Sequence, residues 1–296
     1  MTARIIDGTV IAREIREEVR ADVARLRAAG TDPGLAVVLV GENPASVSYV
    51  RGKAKAAEEL GIRSETIRLS DAISQEDLLG LVADLNADER WHGILVQMPL
   101  PPQISEQAAA SAVLPSKDVD GLHPINVGRL FRGEPALFPC TPHGVKQMLV
   151  RSGNDPGGKH VVICGRSNLV GKPLAGLLMQ KAPGANATVT VCHTGTPDIG
   201  RFTRDADIVI AVMGRPRAIT ADMVREGAVV IDVGVNRVPD ATKKSGHRLV
   251  GDVDFDAVRE KASAITPVPG GVGPMTVTML LYNTVLAAKG GVAAAG

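Results

Sequence analysis

A two-lobed α/β protein with a cleft is predicted for this chain by three observations. Short aliphatic runs alternate with segments of helical periodicity in both halves, the mark of parallel sheets built from strand–helix–strand units. The alternation breaks once, in a proline- and glycine-rich passage from Leu114 to Gly144, as expected where a chain joins two lobes. The length, 296 residues, suffices for one large domain or two ordinary ones.

The elements follow in order. Ile11, Ile15, Val19, Val23 and Leu26 form an apolar stripe at helical spacing, with Gly30 where a C-cap glycine stands. LAVVLVG, from Leu35, reads as a strand covered on both faces. A helix is predicted from Pro44 to Gly61, then a strand at SETIRL. SQEDLLGLVADL is a helix capped by Ser74, with Asp77 in place of the usual Glu of a capping box. GILV, from Gly93, is a buried strand that Pro99 stops. The passage from Leu114 is read as irregular, and Thr141 followed by Pro142 as the start of the next helix. KHVVICG, ATVTVCH, DADIVIAVMG and AVVIDVG supply further strands, with a helix at GKPLAGLLMQK. A last helix spans Met275 to Lys289, before the small-residue tail GGVAAAG, which is read as frayed.

Composition excludes several classes. Charge is balanced, 33 basic against 32 acidic residues, so neither nucleic acid nor an anionic membrane is an implied partner. Aromatics are 2% of the chain, too few for a single-strand stacking platform. The three cysteines, Cys140, Cys164 and Cys192, fit no disulfide framework and read as reduced thiols. The N-terminus becomes charged too early for a signal peptide, and no apolar run approaches the roughly 20 residues of a membrane span. A cytoplasmic protein is expected. No histidine shows ligand spacing with another or with cysteine, so no metal site is predicted.

Two stretches carry chemistry. In YVRGK, Tyr49 and Lys53 stand one helical turn apart on one face. That face is either solvated, or a platform and an amine held over a substrate. CGRSNLVGKP joins a strand to a helix with a G-x5-G spacing, Gly165 to Gly171. It is either an ordinary turn or a place where backbone N–H groups meet a phosphate at a helix N-terminus. The next strand ends in VCHTGT without the carboxylate that would bond an NAD ribose. Arg166, with His193 and Thr194, suits a 2′-phosphate instead, which favours NADP over NAD. Gln97 ends a strand at the edge where α/β sheets place ligands. Asp118 reads as a turn residue, and Asp120 by spacing alone is as readily another. Ser167 reads as a phosphate contact, because no G-x-S-x-G elbow surrounds it.

YVRGK, VQMPLP, KDVDGLHPIN, PCTPHG, GRSNLVGKP, ATVTVCH, VIDVGVN, GDVDF and TPVPGGVGPMT occur in this order over nearly the whole chain. In this the chain resembles the bifunctional methylenetetrahydrofolate dehydrogenase/methenyltetrahydrofolate cyclohydrolase family. The resemblance implies an N-terminal α/β substrate lobe completed by the C-terminal helix, a Rossmann-like NADP-binding lobe, and an active-site cleft between them. The expected boundaries are 1–140 with 275–296 for the folate lobe, and 141–274 for the NADP lobe.

The implied reaction oxidises 5,10-methylenetetrahydrofolate to the methenyl cation with NADP, then hydrolyses that to 10-formyltetrahydrofolate. By the same resemblance Tyr49 stacks on the folate, Lys53 assists water attack and ring opening, Gln97 holds Lys53, and Asp120 binds the pterin. Pro269, Gly270 and Gly271 bring backbone to the folate. Gly165, Arg166, Ser167, Gly171, His193, Thr194, Ile231 and Gly273 serve the cofactor. Thr194 stands where many members have serine; the hydroxyl is kept. A homodimer is implied as well. The alternatives are a shikimate-type NADP dehydrogenase, which leaves VQMPLP and the PGGVG loop unexplained, and a nucleotide sensor without catalysis, against which Lys53, Gln97 and Asp120 argue.

Overall fold

The computed structural model describes residues 2–243 and 246–290. The first half contains β1 (Arg4–Ile5), α1 (Gly8–Ala28), β2 (Gly34–Val40), α2 (Pro44–Glu59), β3 (Arg63–Leu69), α3 (Gln75–Ala87), β4 (Gly93–Val96), α4 (Glu106–Ala112) and α5 (Pro124–Arg132). Then come α6 (Cys140–Arg151), β5 (His160–Cys164), α7 (Gly171–Leu178), β6 (Thr188–Cys192), α8 (Gly200–Thr203), β7 (Ile208–Ala211) and β8 (Val229–Asp232). The chain continues through β9 (Asn236–Pro239), β10 (His247–Val250), α9 (Phe255–Arg259), β11 (Ala264–Ile265) and α10 (Gly273–Ala288). From residue 291 the small-residue tail lies outside the described residues.

Contacts divide the chain into two compact units, Met1–Arg13 with Thr141–Thr276, and Glu14–Cys140 with Val277–Gly296. The expected boundaries put the whole N-terminus with the folate lobe. The difference lies in β1, which pairs in parallel with β11 (Arg4↔Ala264, Ile5↔Ile265) as the edge strand of the other unit's sheet.

The smaller sheet has the order β3-β2-β4, all parallel. Its centre, β2, is buried at every residue, which is why LAVVLVG shows no polar alternation. Val38, Leu78, Val82, Trp91 and Ile94 belong to the apolar cluster on one face. The larger sheet is also parallel, in the order β1-β11-β8-β7-β5-β6. Because β5 has β6 on one side and β7 on the other, the strand order reverses at β5. The crevice beyond the carboxyl ends of such strands is where doubly wound sheets take ligands.

Two readings of the sequence are corrected. The passage from Leu114 is not irregular throughout, since it contains α5. His123 caps that helix by accepting from Ile125 N at 3.0 Å, and Gly133 ends it in the left-handed region at φ 72°. Pro124 sits at the first helical position, where it starts a helix rather than breaking one. Further on, α6 begins at Cys140, so Thr141 and Pro142 lie in its first turn rather than ahead of it.

Candidate active site

In the unit built on the smaller sheet, the chemistry gathers around α2. Asn43 starts this helix, its side-chain oxygen accepting from Ala45 N at 3.0 Å and Ser46 N at 3.3 Å, with Pro44 at the first position. One face buries Ser46, Val50, Lys53 and Ala57. Tyr49, one turn before Lys53, is 56% exposed, whereas Lys53 is 7% exposed. The Lys53 ammonium lies 5.9 Å from the centre of the Tyr49 ring, within cation–π range. The face is therefore not a solvated one: the ring is open and the amine is held inside.

Lys53 Nζ donates to Gln97 Oε1 at 2.9 Å. Gln97 follows β4, its backbone N–H donates to Val38 O at 2.9 Å, and its Nε2 donates to Met98 O at 2.6 Å. These bonds fix which end of the amide meets the lysine. Burial lowers the Lys53 pKa from its ordinary value, opposed first by the charge of Asp120. Burial raises the Asp120 pKa, opposed first by the charge of Lys53. The Cys140 thiol is pushed well up by burial and by Asp120's charge, and it remains a thiol. Its sulfur donates to Val119 O at 3.3 Å. The amine and the carboxyl group are each displaced toward neutrality by burial, and each favours the other's charge, as is common where a site handles protons.

Asp118 and Asp120 part ways in the structure. Asp118 accepts from the backbone N–H of Gly121, Leu122 and His123 at 3.1, 3.3 and 2.8 Å, and from Asn126 Nδ2 at 2.9 Å. It organises the turn, as its position in KDVDG predicts. Asp120 has no such backbone partners among the described residues and faces Lys53 and Cys140 electrostatically.

In the unit built on the larger sheet, the G-x5-G turn closes on itself. Gly165 has φ +142°, and a Cβ there would stand 2.1 Å from Val212 O. A Cβ on Gly171 would stand 2.2 Å from Gly165 O. No side chain fits at either position. Ser167 Oγ accepts from Val170 N at 3.1 Å and Gly171 N at 3.4 Å, which leaves its hydrogen free to donate. Gly165, Arg166, His193 and Thr194 line a cavity of about 510 Å³ at the carboxyl ends of β5, β6 and β7. The groups suit a dinucleotide: exposed backbone at a glycine turn, a guanidinium, and a hydroxyl.

Five residues expected to serve the cofactor or the folate lie elsewhere in that unit. Ile231 is wholly buried on β8, so its side chain is core. Gly273 opens α10. Pro269 follows a cis peptide bond, Gly270 has φ +99°, and a Cβ on Gly271 would lie 2.5 Å from Pro267 O. Gly8, which the sequence did not single out, donates its N–H to Gly270 O at 2.9 Å. Sequence reasoning also missed Cys140 and Arg215. The first is a lone cysteine without a pattern; the second lines the cavity from a loop that no motif marks.

A doubly wound sheet with a glycine turn at its switch point, in a chain that also buries a lysine–glutamine pair, defines a two-unit dinucleotide-dependent enzyme. Residues 139–291 match the family described as tetrahydrofolate dehydrogenase/cyclohydrolase, NAD(P)-binding domain, and residues 6–120 match its catalytic domain. Bifunctional protein FolD of Dehalococcoides mccartyi (strain CBDB1) is 60% identical over 290 residues, covering 98% of each chain. The bifunctional enzyme FolD, methylenetetrahydrofolate dehydrogenase/cyclohydrolase, of Campylobacter jejuni superposes with a TM-score of 0.92 at 48% identity, covering 97% of this chain and 99% of that one. The Trypanosoma brucei enzyme, solved with NADP cofactor and inhibitor, gives 0.91 at 44% identity, covering 99% of this chain and 100% of that one. The chain belongs to the tetrahydrofolate dehydrogenase/cyclohydrolase family. The two activities that the sequence implied, methylenetetrahydrofolate dehydrogenase and methenyltetrahydrofolate cyclohydrolase of one-carbon metabolism, are its function. The shikimate-type and sensor alternatives fall away.

Proposed function

We propose that Lys53, Gln97, Asp120 and Tyr49 carry the folate chemistry, with NADP as hydride acceptor in the cavity beside Arg166. The bond from Lys53 to Gln97, made in a nearly buried setting, carries this reading. Asp120 takes the flat donor edge of the pterin, and the open ring of Tyr49 stacks on the folate. When bound, NADP accepts the hydride that leaves the one-carbon bridge. Stacking and the Asp120 contact hold that carbon in place, and orientation supplies much of the rate.

Water then adds to the methenyl carbon. A proton must leave the added water, and one must reach the ring nitrogen whose bond to carbon breaks. Lys53 moves these protons, its amine eased toward neutrality by burial and kept in place by Gln97. The backbone around Pro269, Gly270 and Gly271 contacts the folate. Ser167, Gly171, Ile231 and Gly273 serve the cofactor with Gly165, Arg166, His193 and Thr194. For Ile231 the contact comes from its main chain, because its side chain is core.

Lys53→Met tests the central role. Hydrolysis of the methenyl compound is expected to vanish while NADP and folate binding stay largely intact; full hydrolysis by the variant refutes the assignment. Arg166 supports NADP over NAD, and equal use of the two coenzymes would count against it. Among the described residues no helix is long and apolar enough to cross a membrane; the cytoplasmic location is our own reading. The assembly we assign is a homodimer. The edge strand β3, whose outer backbone has no strand partner among the described residues, supports it.

A further inference from the structure

Two motifs of the sequence, VIDVGVN and GDVDF, each bury an aspartate that the reaction above does not use. Asp232 is 2% exposed and Asp252 is fully buried. Asp232 accepts from the backbone N–H of Gly234 at 3.0 Å, and of Asp252 and Val253 at 2.9 Å. It thereby fixes the backbone that carries Asp252. Asp252 in turn accepts from three successive N–H groups, those of Met213, Gly214 and Arg215, the last two at 2.9 Å, and from Asn236 Nδ2 at 2.8 Å. Successive N–H groups aimed at one point form a cradle for an anion. Here a side chain of the protein fills it.

Glycine beside each aspartate is a steric requirement. A Cβ on Gly251 would stand 1.7 Å from Asp232 Oδ2, and one on Gly234 would stand 2.2 Å from Asp252 Cγ. The cradled segment is a wall of the coenzyme cavity, which Val212, Met213 and Arg215 line together with Gly165 and Arg166. Val212 N–H still bonds to the sheet, at Cys164 O. Beyond it, the N–H groups of Met213, Gly214 and Arg215 are directed to Asp252. Arg215 is exposed, and its guanidinium has no ion pair among the described residues.

We propose that Asp252 is a positioning residue of the coenzyme site: by holding the 213–215 turn it presents Arg215, alongside Arg166, as a second cation to the anionic groups of the bound dinucleotide. The inference rests on the assignment of this cavity to NADP. Asp232 acts one step further back, through the backbone of Asp252.

Calorimetric titration of the full-length protein with NADP tests it, using Arg166→Ala, Arg215→Gln, Asp252→Asn and the Arg215→Gln/Asp252→Asn double variant. The amide keeps the shape of Asp252 but cannot accept from all four donors. Arg215→Gln and Asp252→Asn are each expected to weaken NADP about fivefold or more. The double variant binds no worse than Asp252→Asn alone, because the cation is already misplaced. The KM for NADP rises while that for methylenetetrahydrofolate stays within about twofold. Unchanged NADP binding by Asp252→Asn, or losses that multiply in the double variant, overturns the inference.

Should Asp252→Asn fail to fold, Asn236→Ala removes one bond that orients the carboxylate. It is expected to weaken NADP non-additively with Arg215→Gln, and no change overturns the inference. Arg166→Ala separates the two levels. If it too leaves NADP binding unaltered, the cavity is not the coenzyme site and the underlying reading falls with this one. If it weakens NADP while Arg215→Gln does not, only the second-cation inference falls.

Discussion

Lys53 is the residue to which we assign the hydrolytic half-reaction, and its surroundings predict how its amine responds to charge. Gln97 offers it a neutral oxygen at 2.9 Å. Gln97→Glu replaces that oxygen with a carboxylate, which favours the ammonium. If the neutral amine is the working form, the rising limb of the hydrolysis pH–rate profile moves up by about one unit or more; a limb that stays put excludes the base role. Asp232 supports a second prediction at this scale. Burial raises its pKa from 3.8 to about 6, helped by the charge of Asp252 and opposed by its backbone hydrogen bonds. The folded state therefore holds this proton more tightly than the unfolded chain. The associated stability is fully present below pH 3.8 and is lost as the pH rises through about 6. Asp232→Asn is expected to flatten that part of a stability–pH curve measured by urea unfolding. Some of this was legible beforehand: the spacing of Tyr49 and Lys53 puts them on one face of a helix, as found, whereas Gln97 and Asp120 were singled out by the family resemblance, since pattern alone leaves a strand end and a turn. The depth of Lys53 was not, because a pentapeptide does not say what covers it. Cys140 was missed for the same reason, since its partner lies in a different motif and only the fold joins them.

Helix α2 shows how a local rule positions a distant chemistry. Its register is set by Asn43 and Pro44, and the register decides that Lys53 turns inward while Tyr49 stays open. Asn43→Ala leaves two N–H groups without their side-chain acceptor and is expected to cost about 1 kcal/mol. Thermal unfolding measures the loss, and hydrolysis is expected to fall with it as the first turns of α2 fray. Most elements could be read from pattern alone. The continuous apolar runs became β2, β4, β5, β7 and β8, and Ser74 caps α3 with Asp77, as the sequence indicates. Helix α5 was obscured because its proline and glycines raise the density of breakers, although each stands at a place helices tolerate. The pair β9 and β10 escaped notice because NRVP and HRLV carry no alternating apolar face to bury.

For the molecule as a whole, the parallel α/β character followed from alternation, but the allocation of its ends did not. A two-residue edge strand such as β1 carries too little pattern to reveal its partner, more than 250 positions away. Assembly is the remaining prediction at this scale. Light scattering on the purified protein is expected to give twice the 30.9 kDa of one chain, and a monomer mass across micromolar concentrations would refute the dimer. The pairing of β1 with β11 also bears on how the protein is made. On the ribosome, the first strand to emerge must wait for residues 264 and 265 before its edge of the sheet can form. The other unit waits longer still, because it includes the helix from Val277 onward. A ribosome stalled anywhere before that point holds a nascent chain in which neither half has all of its parts, so protease resistance of both halves should appear late and nearly together.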